Sequence, residues 1–122
     1  MNLCLVIGAK QILYATAAFT LTWTHSVEKT HWSEDWQVTA RGLEIVEARI
    51  EGSGAGMDPP PEATFDGRYW RYRPDLPPLP ELWLARSGAT GGNWQICFAG
   101  SCHLVPEPTG ADNVPALLKP CQ

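Results

Sequence analysis

Residues 18–36, AFTLTWTHSVEKTHWSEDW, constrain the fold more than any other stretch. In an extended chain Phe19, Leu21, Trp23 and His25 fall on one face, and Thr20, Thr22, Thr24 and Ser26 on the other. That period of two is the signature of a half-buried β-strand. The strand then runs into a dense polar segment, Glu28, Lys29, His31, Glu34 and Asp35, fenced by Trp32 and Trp36. Two of the three histidines and three of the six tryptophans sit here, so a functional site is expected to be lined by this stretch.

The rest of the chain is cut into short pieces. Eleven glycines and eleven prolines in 122 residues leave little room for long helices and favour short strands with turns. Residues 2–8 and 11–17 read as an opening hairpin. Residues 32–39 form the next strand, with Trp32, Glu34, Trp36 and Val38 on one face. Ala40-Arg41-Gly42 is a turn and 43–50, LEIVEARI, a longer strand. Residues 52–61, GSGAGMDPPP, are a loop, because neither strand nor helix tolerates that run of glycine and proline. Strands follow at 67–73 and 81–86, joined by the extended connector PDLPPLP, and 93–105 forms a last hairpin. The expectation is one all-β domain over 1–105, an antiparallel sandwich or barrel of about eight or nine short strands. The Pro-rich tail, 106–122, is expected to be loosely held. Trp23, Trp36, Trp70, Trp83 and Trp94 are assigned to the core or the sheet interface, since each buries a large apolar area. An exposed Trp32 would mark a docking surface instead.

Charge excludes one class of partner. The net charge is −4 and no basic run occurs, so the clustered cations that phosphate backbones require are missing and nucleic acid is disfavoured. No apolar run approaches the length of a membrane helix. Cys97 and Cys102 flank FAGS; with Ala99-Gly100 at the tip of a two-residue turn they become cross-strand neighbours, a spacing that suits a disulfide. Two buried thiols are the alternative. Cys4 and Cys121 can pair only if the two ends of the chain meet. Disulfides place a protein outside the cytosol. Ala15-Thr16-Ala17 imitates a signal-peptidase site, but no basic segment precedes it and Lys10 interrupts the apolar run, so strands are preferred there. A periplasmic or extracytoplasmic placement is favoured; a chain whose true start is Met1 would carry no export signal, which points to the cytoplasm and conflicts with the disulfide reading.

WTHSVEK at 23–29, EDW at 34–36, GSGAGM with PPP at 52–61 and RPDLPPLPEL at 73–82 together resemble the bacterial family called domain of unknown function 1850. The likeness covers nearly the whole chain. It implies an accessory role in solute uptake, because such proteins are often encoded beside tripartite (TRAP-type) transporters of the TAXI class. The implied partner is a transporter subunit or its solute-binding protein. The resemblance supplies no catalytic residues, and many relatives carry an N-terminal export or membrane segment.

Three groups of residues could carry chemistry. His25, Glu28, His31, Glu34 and Asp35 are metal-ligand types, with His25, His31 and Glu34 the metal candidates, but their spacing matches no zinc signature. A better reading has His25 and Glu28, with Ser26, Lys29 and Trp32 beside them, contacting a ligand or a partner protein; a structural histidine and a solvated turn are the bland alternative. In the glycine loop, Gly54 and Gly56 could let backbone N–H groups converge on a small organic anion, with Arg68 or Arg71 completing a carboxylate site; a wide turn needing positive φ is favoured over this. CFAGSCH spells a spaced haem-attachment motif, but a disulfide hairpin explains it more simply. Ser26 and His25 point to opposite faces, so they make no catalytic pair. No cofactor and no enzymatic activity are expected.

Overall fold

The computed structural model describes residues 1–24, 30–52, 60–86, 94–106 and 114–122. The described residues contain no helix and eleven strands. These are β1 (Asn2–Ile7), β2 (Lys10–Tyr14), β3 (Ala18–Thr24), β4 (His31–Thr39), β5 (Gly42–Glu51), β6 (Thr64–Phe65), β7 (Tyr69–Tyr72), β8 (Leu82–Leu84), β9 (Gln95–Phe98), β10 (Ser101–Leu104) and β11 (Ala116–Cys121). They form two antiparallel sheets, ordered β2-β1-β11-β8 and β10-β9-β3-β4-β5-β7-β6. One core lies between them: Leu3, Leu5, Leu84 and Leu118 of the small sheet pack with Phe19, Leu21, Trp36, Leu43 and Ile96 of the large one. The expected all-β sandwich is therefore present.

The large sheet grows from hairpins whose turns are written locally. β9 and β10 are joined by Ala99 (φ 51°) and Gly100 (φ 81°), the two left-handed residues of a tight hairpin turn. That turn puts Cys97 opposite Cys102, and the two are disulfide-bonded. Where β4 meets β5, Trp36 pairs with Ile45 but Asp35 pairs with Glu47, so Val46 is a bulge. The bulge resets the alternation of β5: Leu43 and Ile45 face inward before it, Ala48 and Ile50 after it. At the start of β5 the connector passes close by: the Leu43 N–H donates to the Leu79 carbonyl at 2.7 Å, and the Leu79 N–H to the Leu43 carbonyl at 2.9 Å. Gly42, at φ 128°, allows this approach, since a Cβ there would stand 2.5 Å from the Leu79 oxygen.

The chain after residue 105 departs from expectation. Ala116–Cys121 is not a loose tail but an inner strand of the small sheet, paired with β1 on one side and β8 on the other. Ala116, Leu117 and Leu118 are buried, and Cys121 is bonded to Cys4. The ends of the chain do meet. Pro120 is tolerated in this strand because β8 reaches only to Leu118, which leaves a free side on β11 beyond it. Buried Arg86 secures the flanks of this region: its guanidinium donates to the carbonyls of Pro106 at 2.8 Å and Val114 at 2.9 Å. The domain therefore extends to the C-terminal strand, and β6 and β11 are the strands added to those expected.

Candidate functional site

β4 positions the groups that matter, because its two faces meet different surroundings. Pairing with β3 and β5 sends Trp32, Glu34, Trp36 and Val38 toward the core side, and His31, Ser33, Asp35 and Gln37 to the outer side.

On the outer face every charge in the central ladder has an opposite partner. Arg49 grips Asp35 through both nitrogens, at 2.5 and 3.0 Å, and reaches Glu47 at 3.1 Å. Arg71 bridges Glu47 and Asp66, each at 2.6 Å. Arg68 holds Glu51 at 3.0 Å, and Glu51 also accepts the His31 backbone N–H at 3.2 Å. The Thr20 hydroxyl donates to Asp35 at 2.7 Å. Burial pushes the Asp35 pKa up, but the bonds from Arg49 and Thr20 and the charges of Arg49 and Arg71 outweigh it, and the carboxyl is held below its ordinary range. Asp66 is lowered further, first by the N–H groups of Tyr69 and Arg68 and then by Arg71. This is a ladder of compensated charges that ties β4, β5, β6 and β7 together.

The inner face is different. One cross-strand row runs along it: Trp23 faces Trp32, Trp32 faces Ile50, Ile50 faces Trp70, and Trp70 faces Phe65. Trp94 extends the row at the other end. Its ring lies 4.7 Å from that of Trp23; Trp23 and Trp32 stack at 6.0 Å, and Phe65 and Trp70 lie 4.9 Å apart. The four indoles are half-buried. One register step inward, Glu34 lies between Leu21 and Ala48, both buried, and Ala48 faces Tyr72. The Glu34 carboxylate accepts the Trp36 indole N–H at 3.2 Å. Burial raises its pKa against the smaller, opposite pull of that bond. The Tyr72 phenol is also raised, by burial first and then by the charges of Glu34 and Glu62. The indole Nε1 of Trp70 is buried and has no hydrogen-bond partner among the described residues.

Of the residues singled out from the sequence, His25, Ser26, Glu28, Lys29, Gly54 and Gly56 lie outside the described residues. The strand ends next to them, Thr24, His31 and Glu51, sit at one end of the large sheet, with Thr24 facing His31. Trp32 is half-buried in the inner row rather than freely exposed. His31 and Glu34 lie on opposite faces of β4 and are not brought together, and no group of three metal-ligand side chains occurs among the described residues. Arg68 and Arg71 are both engaged with carboxylates on the outer face. Cys97 and Cys102 are bonded to each other, so neither thiol is available for haem. Trp83 departs from its assignment to the core: it is 58 % exposed. The alternation Leu82-Trp83-Leu84 explains why, since the two leucines take the inner positions.

A model of the family described as Domain of unknown function (DUF1850) matches residues 19–104, well over half of the chain. The protein belongs to this family. No curated protein and no solved structure matches it. The part that matches the DUF1850 model runs from β3 to β10, so it holds the whole seven-stranded sheet, with both the ion-pair ladder and the indole row. β1, β2 and β11, three of the four strands of the small sheet, lie outside it. No helix among the described residues is long and apolar enough to cross a membrane.

Proposed function

We propose that this DUF1850 protein is a non-enzymatic, extracytoplasmic accessory module that docks onto another protein through the outer face of its four-stranded sheet. The observation that carries the docking reading is the apolar patch around Trp83. In register across that face lie Val6, Leu117 and Trp83, and they line an open groove of about 340 Å³ with Gly8, Val114 and Pro115. Leu13, 48 % exposed, extends the patch across Cys4. An exposed tryptophan amid contiguous aliphatic groups is the composition of a protein-contact hot spot rather than of a solvated surface. The two disulfides, Cys4–Cys121 and Cys97–Cys102, support placement in an oxidising compartment. The resemblance to proteins encoded beside TAXI-type TRAP transporters supports a transporter subunit or its solute-binding protein as the partner.

The test is chemical cross-linking of tagged protein in its native host, followed by identification of the captured chains. Recovery of a transporter subunit or the solute-binding protein, with loss of that recovery on Trp83→Ala, is the expected result. A side chain this exposed can be removed at small cost to folding, about 0.5 kcal/mol. Undiminished capture by Trp83→Ala would discard the surface, and capture of neither partner would discard the transport reading.

A further inference from the structure

The inner face of the large sheet carries a feature that the docking role does not use. Along its outer row stand four indoles, Trp94, Trp23, Trp32 and Trp70, and the next row holds the single carboxylate of Glu34. Trp32, Trp70 and Tyr72 lie outside the apolar cluster that joins the two sheets. Among the described residues no lysine or arginine pairs with Glu34, whereas Asp35, Glu47, Glu51 and Asp66 on the opposite face each hold an arginine. Among the described residues, its hydrogen bond comes from a neutral indole N–H.

A half-buried carboxylate with no counter-cation among the described residues costs free energy, and folds retain such groups chiefly where they act. The indole faces beside it have the same preference. Their negative quadrupoles attract cations, and they attract large, weakly hydrated organic cations best. The charges of Glu34 and Glu62 both act on Tyr72, so the negative potential is shared by two acids there. A metal ion fits poorly, because one carboxylate among aromatic rings is too few hard ligands.

We propose that Glu34 and the indoles of Trp23, Trp32 and Trp70 form a binding site for an organic ammonium compound, with the carboxylate pairing the charge and the rings enclosing its alkyl groups. This goes beyond the accessory reading and does not depend on it. A docking module that failed to find its partner could still bind such a ligand, and the converse holds.

Choline and glycine betaine are suitable probes, with 3,3-dimethylbutan-1-ol as the uncharged isostere of choline. Binding is read by tryptophan fluorescence and by calorimetry on the intact, oxidised protein. The expected result is saturable binding of at least one ammonium probe and none of the isostere. Glu34→Gln should weaken that binding about tenfold, the loss of one charge-assisted contact. This variant keeps the acceptor for the Trp36 N–H and is expected to fold, and an unchanged or raised melting temperature verifies that lost binding is not lost structure. Trp32→Phe, which keeps an aromatic face, should weaken binding less than Glu34→Gln. The proposal is overturned if neither ammonium probe binds, if the isostere binds as well as choline, or if Glu34→Gln binds as tightly as the parent.

Discussion

The two sheets share a core but are held together by different means. The four-stranded sheet pairs β1 with β11, so it joins residues from opposite ends of the chain; Cys4 and Cys121 are 117 positions apart. It is apolar on both sides, with Leu3 and Leu5 facing the core and Val6 and Leu117 facing outward. The seven-stranded sheet is built mainly from sequence neighbours, β3 with β4, β4 with β5, and β9 with β10. Its outer face is polar and bound by arginine-carboxylate pairs. Closing a long loop costs more entropy than closing a short one, so the small sheet needs a strong tie and the large one does not. A covalent bond and buried carbonyl contacts provide that tie and are largely indifferent to pH. The ion-pair ladder of the large sheet is not.

The first way to break this contrast is to remove each disulfide separately. In the chain-entropy picture a bond closing a loop of more than one hundred residues contributes about 4–5 kcal/mol, and one closing a loop of a few residues roughly 2 kcal/mol. Cys4→Ser with Cys121→Ser should therefore lower the free energy of unfolding about twice as much as Cys97→Ser with Cys102→Ser, as measured by urea denaturation. Equal losses would mean that the small sheet is held by its apolar contacts and not by its covalent tie.

Arg86 gives the next largest effect in the small sheet and Asp35 its counterpart in the large one. Arg86→Met keeps the apolar stem but leaves the Pro106 and Val114 carbonyls without this donor, at a cost of about 1–3 kcal/mol. Asp35→Asn breaks the two-point grip of Arg49 and should cost a similar or slightly smaller amount, about 1–2 kcal/mol. The two differ in pH dependence. Asp35 has a folded pKa below its unfolded value, so its contribution is complete above the unfolded value and is lost as pH falls through the folded one. The Asp35→Asn penalty should accordingly shrink on acidification, while the Arg86→Met penalty stays level. Parallel pH profiles of melting temperature for the two variants would remove the distinction.

Much of this contrast could be read from the sequence, for reasons that are local. The alternation through Phe19, Leu21 and Trp23 identifies β3 and its buried face, and the Ala99-Gly100 tip sets the register that joins Cys97 to Cys102. Non-local pairing was beyond such reasoning. The place of β11 depends on an empty slot between β1 and β8, and nothing near Ala116 announces that slot. The candidate site shows the same division. Alternation assigns Glu34 to the face of Trp32 and Trp36. That Asp35 meets Arg49 while Glu34 meets no cation among the described residues depends on the register of β4 against β5, and the bulge at Val46 sets that register. Trp70 joins Trp32 through Ile50, across a gap of 38 positions in the chain (70 − 32) that no spacing rule covers.

The smallest expected effect gives the sharpest form of the contrast, because Glu34 and Asp35 are adjacent carboxylates in one strand whose pKa values move in opposite directions. Glu34 is raised by burial, so the folded protein binds its proton more tightly than the unfolded chain does. Between the unfolded value near 4.5 and the raised folded value, stability from this group falls as pH rises, the reverse of Asp35. Glu34→Gln removes a desolvated charge and keeps an oxygen for the Trp36 N–H. It should stabilise the protein near neutral pH by roughly 1 kcal/mol, and the gain should disappear in acid where Glu34 is already neutral. Thermal unfolding of the parent and this variant across the acid range measures both. A gain at neutral pH would mean that the inner-face carboxylate is retained against stability, which is the pattern of a group kept for binding. A loss at neutral pH would show that Glu34 contributes to the fold as Asp35 does, and the division between a compensated outer face and an uncompensated inner face would fail.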